Sequence, residues 1–435
     1  MVKILGGGLA GSEAAWQLAR AGINCELYEM KPLKYTPAHH YKGLAELVCS
    51  NSLKASRHES AAGLLKEEME ILGSLIIPCA KTNSVEAGGA LAVDREKFSD
   101  AVTEKIMNNP FITVIEREVN DIPDGDVIIA TGPLTSGGLA ESIREKCGDY
   151  LSFFDAAAPI VTFDSLDMDK VFFAARYDRG DADYINCPMN REEYLEFYNE
   201  LILAESAPLK EFDKRDFKVY EGCMPIEVLA KRGEDTMRFG PLKPVGLIDK
   251  RTGKRPYAVV QLRKENAEGS MYNLVGFQTN LKFGEQKRVF SKITGLENAE
   301  FVRYGVMHRN SFIDSPHLLE PSYCLKSNKN IFFAGQITGV EGYIESAASG
   351  IMAGINMARK INGKSPLILP ADTMIGALTA YISGGCCGEF QPMGCNMGIL
   401  PELPERIRDK KLKYKAYADR AINTLKREVE ECGIL

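Results

Sequence analysis

The chain has 435 residues, 45% of them hydrophobic and 26% charged, which is the composition of a folded globular protein; at about 150 residues per domain it is long enough for two or three packed units. Lys and Arg number 53 against 59 Asp and Glu, a net charge of −6 that argues against a generic nucleic-acid coat but leaves room for a local basic patch. No window approaches 18 uninterrupted apolar residues, and Met1-Val2-Lys3-Ile4-Leu5 runs straight into glycines and Ser12-Glu13, so neither a transmembrane helix nor a secretory leader is expected.

Residues 2–5 read as a short apolar strand, and Gly6-Gly7-Gly8-Leu9-Ala10-Gly11 leads into a helix that stops at Gly22. A second strand, Asn24 to Met30, carries the acid Glu29 at its end. This is a complete β-α-β unit. Farther on, 94–102 reads as an amphipathic helix and 112–116 as a strand; the strand at 126–133 stops abruptly at Gly132-Pro133. From about 150 to 300 the pattern changes to aromatic, charge-rich strands and turns such as Phe153-Phe154-Asp155, Val171-Phe172-Phe173 and Tyr184-Ile185-Asn186, the texture of an inserted α+β unit. A return strand over 330–336 then leads into 342–354, a helix rich in small residues. From Arg406 to Arg427 nine basic residues face two acids, a local charge of +7 that suits a solvated helix face and a docking surface for a polyanion equally well.

The eleven cysteines form no C-x-x-C pair, and with no leader in so long a chain they read as reduced thiols of a cytosolic protein. Cys25 and Cys79 fall in apolar, strand-like contexts and read as core. The five histidines show no paired ligand spacing, so no metal site is expected.

The G-x-G-x-x-G at Gly6, Gly8 and Gly11 follows a strand and opens a helix, the context that gives the pattern meaning. The first glycine permits the turn, the second lets a pyrophosphate approach the backbone, and the third allows close helix–strand packing. Glu29 lies 18 residues after Gly11, where its carboxylate reaches the hydroxyls of an adenosine ribose. Two later strand ends, Ala130-Thr131-Gly132 and Phe333-Ala334-Gly335-Gln336, and the helix start at Gly342 point to a flavin rather than a nicotinamide dinucleotide as the resident cofactor. The expected architecture is α/β: a glutathione-reductase-like, FAD-binding Rossmann domain in two pieces, 1–150 and 300–435, interrupted by an α+β insertion domain at 151–299. The candidate cofactor-binding residues are Gly6, Gly7, Gly8, Leu9, Ala10, Gly11, Glu29, Gly132, Gly335, Gln336 and Gly342. No second fingerprint of this kind is present, so a nicotinamide reductant would bind shallowly and leave.

Five segments carry a resemblance: Gly6 to Ala14, Glu46-Leu47-Val48-Cys49-Ser50-Asn51-Ser52, Gly222-Cys223-Met224-Pro225-Ile226-Glu227, Val275 to Leu281, and Tyr304-Gly305-Val306-Met307-His308-Arg309-Asn310. Together they resemble the folate- and FAD-dependent tRNA uracil-5-methyltransferases, the TrmFO family, essentially end to end. The resemblance implies formation of 5-methyluridine at position 54 of the tRNA T loop, with 5,10-methylenetetrahydrofolate as carbon donor and NAD(P)H as reductant. One departure is visible near the carboxy terminus, where Gly394 and Met397 stand in place of the expected Asn and Phe.

Uracil C5 is a poor nucleophile; adding a thiolate at C6 turns it into an enolate that attacks a one-carbon unit, and a second group then removes the C5 proton. The resemblance implies Cys49 and Cys223 as the two thiols, both in loop settings. Which of them attacks C6 is open in the sequence; Cys223 is favoured as nucleophile and Cys49 as acid–base partner. His308 and Arg309 are candidates to meet a pterin, Lys282, Lys287 and Arg288 to meet the folate glutamate or RNA phosphates, and Lys410 and Lys411 to meet tRNA phosphates, each against the plainer reading of packing or solvation. The competing functions are a wobble-uridine tRNA-modifying flavoprotein, an NAD(P)H:disulfide oxidoreductase and a flavin-containing binding module. The second of these needs a redox cysteine pair near the helix of the first flavin segment, and the usual short spacing is absent there.

Overall fold

The opening unit forms as the pattern predicts. In the computed structural model, which describes all residues except 136, 150, 179–180, 208–223, 250, 386–389 and 434–435, strand Val2–Leu5 pairs in parallel with Cys25–Glu29, and helix Leu9–Arg20 connects them. These strands belong to a six-stranded sheet whose order is Cys324–Leu325, Asn328–Phe333, Val127–Ile129, Val2–Leu5, Cys25–Glu29 and Ile112–Glu116. All are parallel except the short Cys324–Leu325 strand at one edge. Both faces are covered, which is why the strands read as apolar runs: Val2, Ile4, Leu27, Val127, Ile128 and Ile129 are buried.

The small residues of helix Tyr343–Ile361 acquire a physical reason here. A Cβ at Gly350 would stand 2.2 Å from the Ala10 carbonyl oxygen, and one at Gly354 would stand 2.8 Å from that of Ala14. The two helices therefore touch backbone to backbone, and the late helix presses the fingerprint helix onto the sheet. Trp16 is partly buried against the same core.

A second six-stranded sheet is antiparallel throughout, in the order Phe172–Phe173, Tyr184–Met189, Ala258–Lys264, Met271–Leu274, Ile160–Thr162 and Phe301–Arg303. Helices Arg191–Leu203, Ile226–Lys231 and Phe283–Phe290 contribute to its separate core, built on Val161, Ile185, Cys187, Tyr194, Phe197, Phe277 and Phe290. Leu151–Ala156 does not join that sheet; it pairs with Met307–Phe312 in a ribbon of two strands.

Cys25 is buried on a strand as expected, whereas Cys79 is buried on a helix, Ile76–Thr82, and not on a strand. The helix is started from a distance: the Glu13 carboxylate accepts the Leu75 and Ile76 amides at 3.0 Å each, and Ser74 Oγ accepts that of Ile77. A cap supplied by a residue some sixty positions upstream leaves no local sequence signal. Among the described residues no helix is long and apolar enough to cross a membrane, and no group of three or more His, Cys, Asp or Glu is gathered to hold a metal ion.

Candidate cofactor cleft and thiol site

A cleft opens at the carboxyl ends of the parallel strands, where an open α/β sheet binds its ligands. Its floor is the fingerprint turn. Gly6 takes φ +97°, and a Cβ there would lie 2.7 Å from the Ala130 carbonyl oxygen; a Cβ at Gly11 would lie 1.9 Å from the oxygen of Gly6. Gly8 differs: nothing lies within 4 Å of the position its Cβ would take. Gly8 is the N-cap of helix Leu9–Arg20 and offers no side-chain cap, so unpaired amides and the positive helix end face open space.

Glu29 closes one side. Its Oε2 accepts the Gly7 amide at 2.8 Å and its Oε1 the Lys31 amide at 3.0 Å, which fixes the carboxylate and leaves lone pairs for a ribose diol. Gly132, Gly335 and Gln336 line the other side with Thr131 and Ser346. Gly335, at φ +84°, donates its amide to Ser349 Oγ at 2.6 Å, and Gln336 donates to Glu341. An uncapped helix start, an open approach at Gly8 and an anchored carboxylate are what the pyrophosphate and ribose of a dinucleotide require, so FAD fits this chain's residues. Gly7 and Gly11 support the turn from behind, while Gly342 heads helix Tyr343–Ile361 against the Lys54–Glu345 ion pair and does not line the cleft.

Cys49 reaches the same cleft from its far wall, partly exposed. Its Sγ lies 3.0 Å from the Tyr343 hydroxyl oxygen, which also accepts the amides of Cys49 at 2.7 Å and Ser50 at 3.2 Å. Burial and the nearby sulfur push the Tyr343 pKa well above 10, so the phenol keeps its proton. Behind the loop, Arg95 Nη1 donates to the Leu47 and Val48 carbonyls at 2.7 and 2.9 Å, and Arg303 Nη1 donates to Val48 at 3.1 Å. Arg95 pairs with Glu265, while Nε and Nη2 of Arg303 are buried without a hydrogen bond among the described residues. Burial first, and then the charge of Arg95, lower the Arg303 pKa to about 10, which still leaves it a cation at neutral pH. Arg263, from strand Ala258–Lys264, grips Asn51 Oδ1 at 3.0 Å and Ser50 Oγ at 2.8 Å, so the antiparallel sheet holds the thiol loop in place.

Cys223 lies outside the described residues. The motif that follows it is firmly placed: Ile226 donates its amide to Gln278 at 2.7 Å, and the buried Glu227 accepts Thr279 Oγ1 at 2.8 Å and the Asn280 amide at 2.7 Å. Two of the resembling segments thus meet in space. His308 and Arg309 belong to the ribbon strand, opposite Asp155 and Phe154; the next residue, Asn310, is buried and lines the cleft. Lys282 pairs with Glu205, and Arg288 with Glu200 and Glu285. Lys410 and Lys411 stand exposed at the start of helix Lys410–Cys432, away from the cleft lining, with the Lys410 ammonium 5.4 Å from the Tyr414 ring centre.

The sequence pattern did not reveal Tyr343, Arg95 and Arg303 around Cys49, nor His39 in the cleft, whose pKa is lowered by burial. The signal for Tyr343 was its place directly after the helix-start Gly342, which says nothing of a sulfur 294 residues away.

Parallel sheet, fingerprint turn and cleft define a dinucleotide-binding α/β protein of the glutathione-reductase-like flavoprotein class. The family model for Glucose inhibited division protein A matches residues 1–365. A methylenetetrahydrofolate–tRNA-(uracil-5-)-methyltransferase TrmFO of Acetivibrio thermocellus is 60% identical over 432 residues, covering 99% of both chains. One of Listeria welshimeri is 59% identical over 431 residues, again covering 99% of each. The chain belongs to the Glucose inhibited division protein A family and, within it, to TrmFO. Its fold is that of Aquifex aeolicus GidA, whose crystal structure superposes with a TM-score of 0.72 at 18% identity, covering 100% of this chain and 74% of that one.

Proposed function

We propose that this protein transfers the one-carbon unit of 5,10-methylenetetrahydrofolate to C5 of a tRNA uridine, that of position 54 in the T loop, in a reaction driven by NAD(P)H through FAD. The observation that carries this reading is the Cys49 thiol, held by Tyr343 on the wall of the cleft that Gly8 and Glu29 prepare for a dinucleotide. A reductive methylation needs a sulfur beside the cofactor, whereas a flavin-binding module has no use for one. Relatives that bear this name and match along nearly the whole chain support the same reading.

When bound, FAD would supply a hydride received from NAD(P)H, held by the amides around Gly8, by Glu29, and by the Gly132 and Gly335 strand ends. The work of this chain's own residues is proton and thiolate chemistry. The Cys223 thiolate adds to C6 of the uracil: the S–C6 bond forms, and the C5=C6 electron pair moves to make the C4 enolate, whose C5 attacks the one-carbon unit. The Cys49 thiolate then takes the C5 proton, and the electron pair left at C5 breaks the bond between the one-carbon unit and the folate nitrogen, so that tetrahydrofolate leaves as its amine, taking up the proton held by Cys49. Once that carbon has received the hydride that bound FAD would supply, the enolate re-forms C5=C6 and expels the Cys223 sulfur from C6 as thiolate. Tyr343 donates its hydroxyl proton toward the Cys49 sulfur, and the cations Arg95 and Arg303 behind the loop favour the anionic form of that thiol. We assign 1–150 and 300–435 to cofactor holding and 151–299 to the insertion, except that Phe301–Arg303 completes the insertion's antiparallel sheet, and place the enzyme, with reduced thiols, in the cytoplasm.

The test is direct. Purified protein should show flavin absorbance and convert unmodified tRNA to 5-methyluridine at position 54 only when both methylenetetrahydrofolate and NAD(P)H are present. A yellow protein that oxidises NAD(P)H but leaves the tRNA unmethylated under those conditions rejects the reading.

A further inference from the structure

Beside the antiparallel sheet lies a groove lined by Arg238, Phe239, Lys243, Arg255 and Tyr257, with prolines between them. Phe239 is 83% exposed, more than any other large apolar side chain among the described residues. Lys243 and Arg255 are exposed and make no ion pair among the described residues. Arg238 lies flat on Tyr257, its Cζ 3.5 Å from the ring centre, and is anchored by Asp235 and by the Tyr257 carbonyl. Lys231, Arg251 and Lys254 are exposed in the same stretch of chain, which from 231 to 257 holds eight Lys and Arg against three Asp and Glu in a protein whose net charge is −6.

A solvent-facing phenyl ring among cations is costly as bare surface and well suited to a single-stranded polyanion, whose bases stack on the ring while its phosphates meet the cations. The groove is linked to the thiol. Strand Ala258–Lys264 starts beside Tyr257, and its Arg263 grips Asn51 and Ser50 next to Cys49; six residues at about 3.3 Å each set the two ends roughly 20 Å apart.

We propose that this groove is an RNA-docking surface. It takes a segment of the tRNA substrate outside the reacting nucleotide, with phosphates on Lys243 and Arg255 and a base on Phe239. The proposal rests on the tRNA-modifying reading and adds to it the surface that holds the substrate while one uridine enters the cleft.

The test uses the flavin-loaded full chain, full-length unmodified tRNA and binding titrations between 50 and 200 mM salt. The double variant Lys243→Ala/Arg255→Ala should bind about tenfold more weakly and lower the slope of log affinity against log salt by about 1 to 2. Phe239→Ala should weaken binding about fivefold with the slope unchanged, because a stack carries no counterions, and Phe239→Tyr should restore it. Flavin absorbance and NAD(P)H oxidation should match the wild type in every variant, since none of these side chains lines the cleft. Wild-type affinity and slope in the double variant, with the wild type itself binding tRNA, would reject the groove alone. Failure of the wild type to bind tRNA would reject the underlying reading with it. A change in sedimentation instead of RNA affinity would assign the groove to a second copy of this chain.

Discussion

The hydroxyl oxygen of Tyr343 accepts two backbone amides, those of Cys49 and Ser50, while lying 3.0 Å from the Cys49 sulfur. With its lone pairs turned to the amides, its own proton is left for the sulfur, so the phenol stabilises a thiolate without competing for a proton. Tyr343→Phe removes that donor and leaves the two amides unpaired, at about 1–3 kcal/mol each if they stay dry. The apparent pKa of Cys49, read from the pH dependence of iodoacetamide labelling at that residue, should rise by about a unit, and kcat should fall by about ten- to a hundredfold. Flavin content should stay at the wild-type level. A labelling profile that does not move would reduce Tyr343 to a packing residue.

The fingerprint glycines separate by mechanism. A Cβ at Gly8 has no protein atom within 4 Å, so Gly8→Val should fold with a melting temperature near that of the flavin-free wild type, yet purify colourless because its side chain fills the space a pyrophosphate needs. Gly11→Ala puts a methyl group 1.9 Å from the Gly6 oxygen and should destabilise the fold itself by about 2 kcal/mol or more. Flavin absorbance and melting curves of the two variants distinguish these outcomes. Stoichiometric FAD in Gly8→Val would mean the pyrophosphate lies elsewhere.

The contrast between these two sites shows what a single sequence carries. The turn at Gly6 to Gly11 and the acid at Glu29 lie within one β-α-β unit, so their spacing alone encodes the geometry, and the structure places them around one cleft. Cys49 could be singled out only through resemblance, because its environment is assembled from Tyr343, Arg95 and Arg303, which come from three distant elements. The helix holding Cys79 was unreadable for a similar reason, its amides being capped by Glu13. The small residues after Gly342 were legible as a pattern, but their purpose, the backbone approach of Gly350 to Ala10, requires both helices to be in place.

His58 ties the carboxy-terminal helix to the rest of the molecule: Nδ1 lies 2.8 Å from Glu67 and Nε2 3.0 Å from Asp419. Burial disfavours the charged ring, but the hydrogen bonds to Glu67 and Asp419 outweigh it and hold the pKa above 6.5. A folded pKa raised above the unfolded one gives stability that is fully present below about pH 6.5 and is lost as pH rises through the folded value. The ring is about one-third exposed, so solvent keeps the effect to about 0.5 kcal/mol. His58→Ala should therefore lower the melting temperature by roughly half a degree to one degree at pH 5.5 and leave it nearly unchanged at pH 9. An equal loss at both values would show that the ring acts by packing.

The roles of the two thiols separate by the traces each leaves when removed, since addition to C6 precedes loss of the C5 proton. A tRNA with fluorine in place of hydrogen at C5 of the target uridine cannot release that position as a proton, so the S–C6 bond, once formed, persists as a protein–RNA adduct. With Cys223 as nucleophile, Cys223→Ala should give neither adduct nor methylated product, yet bind FAD and oxidise NAD(P)H, because hydride transfer to a flavin needs neither thiol. Cys49→Ala should also lose product, by at least about a thousandfold if no other base replaces it, but keep the adduct, because the sulfur that adds is still present. Denaturing gels with the fluorinated tRNA read the two cases side by side. An adduct in Cys223→Ala and none in Cys49→Ala reverses the assignment and makes the Tyr343-bound sulfur the nucleophile. Normal methylation by both variants would remove thiol addition from the mechanism altogether.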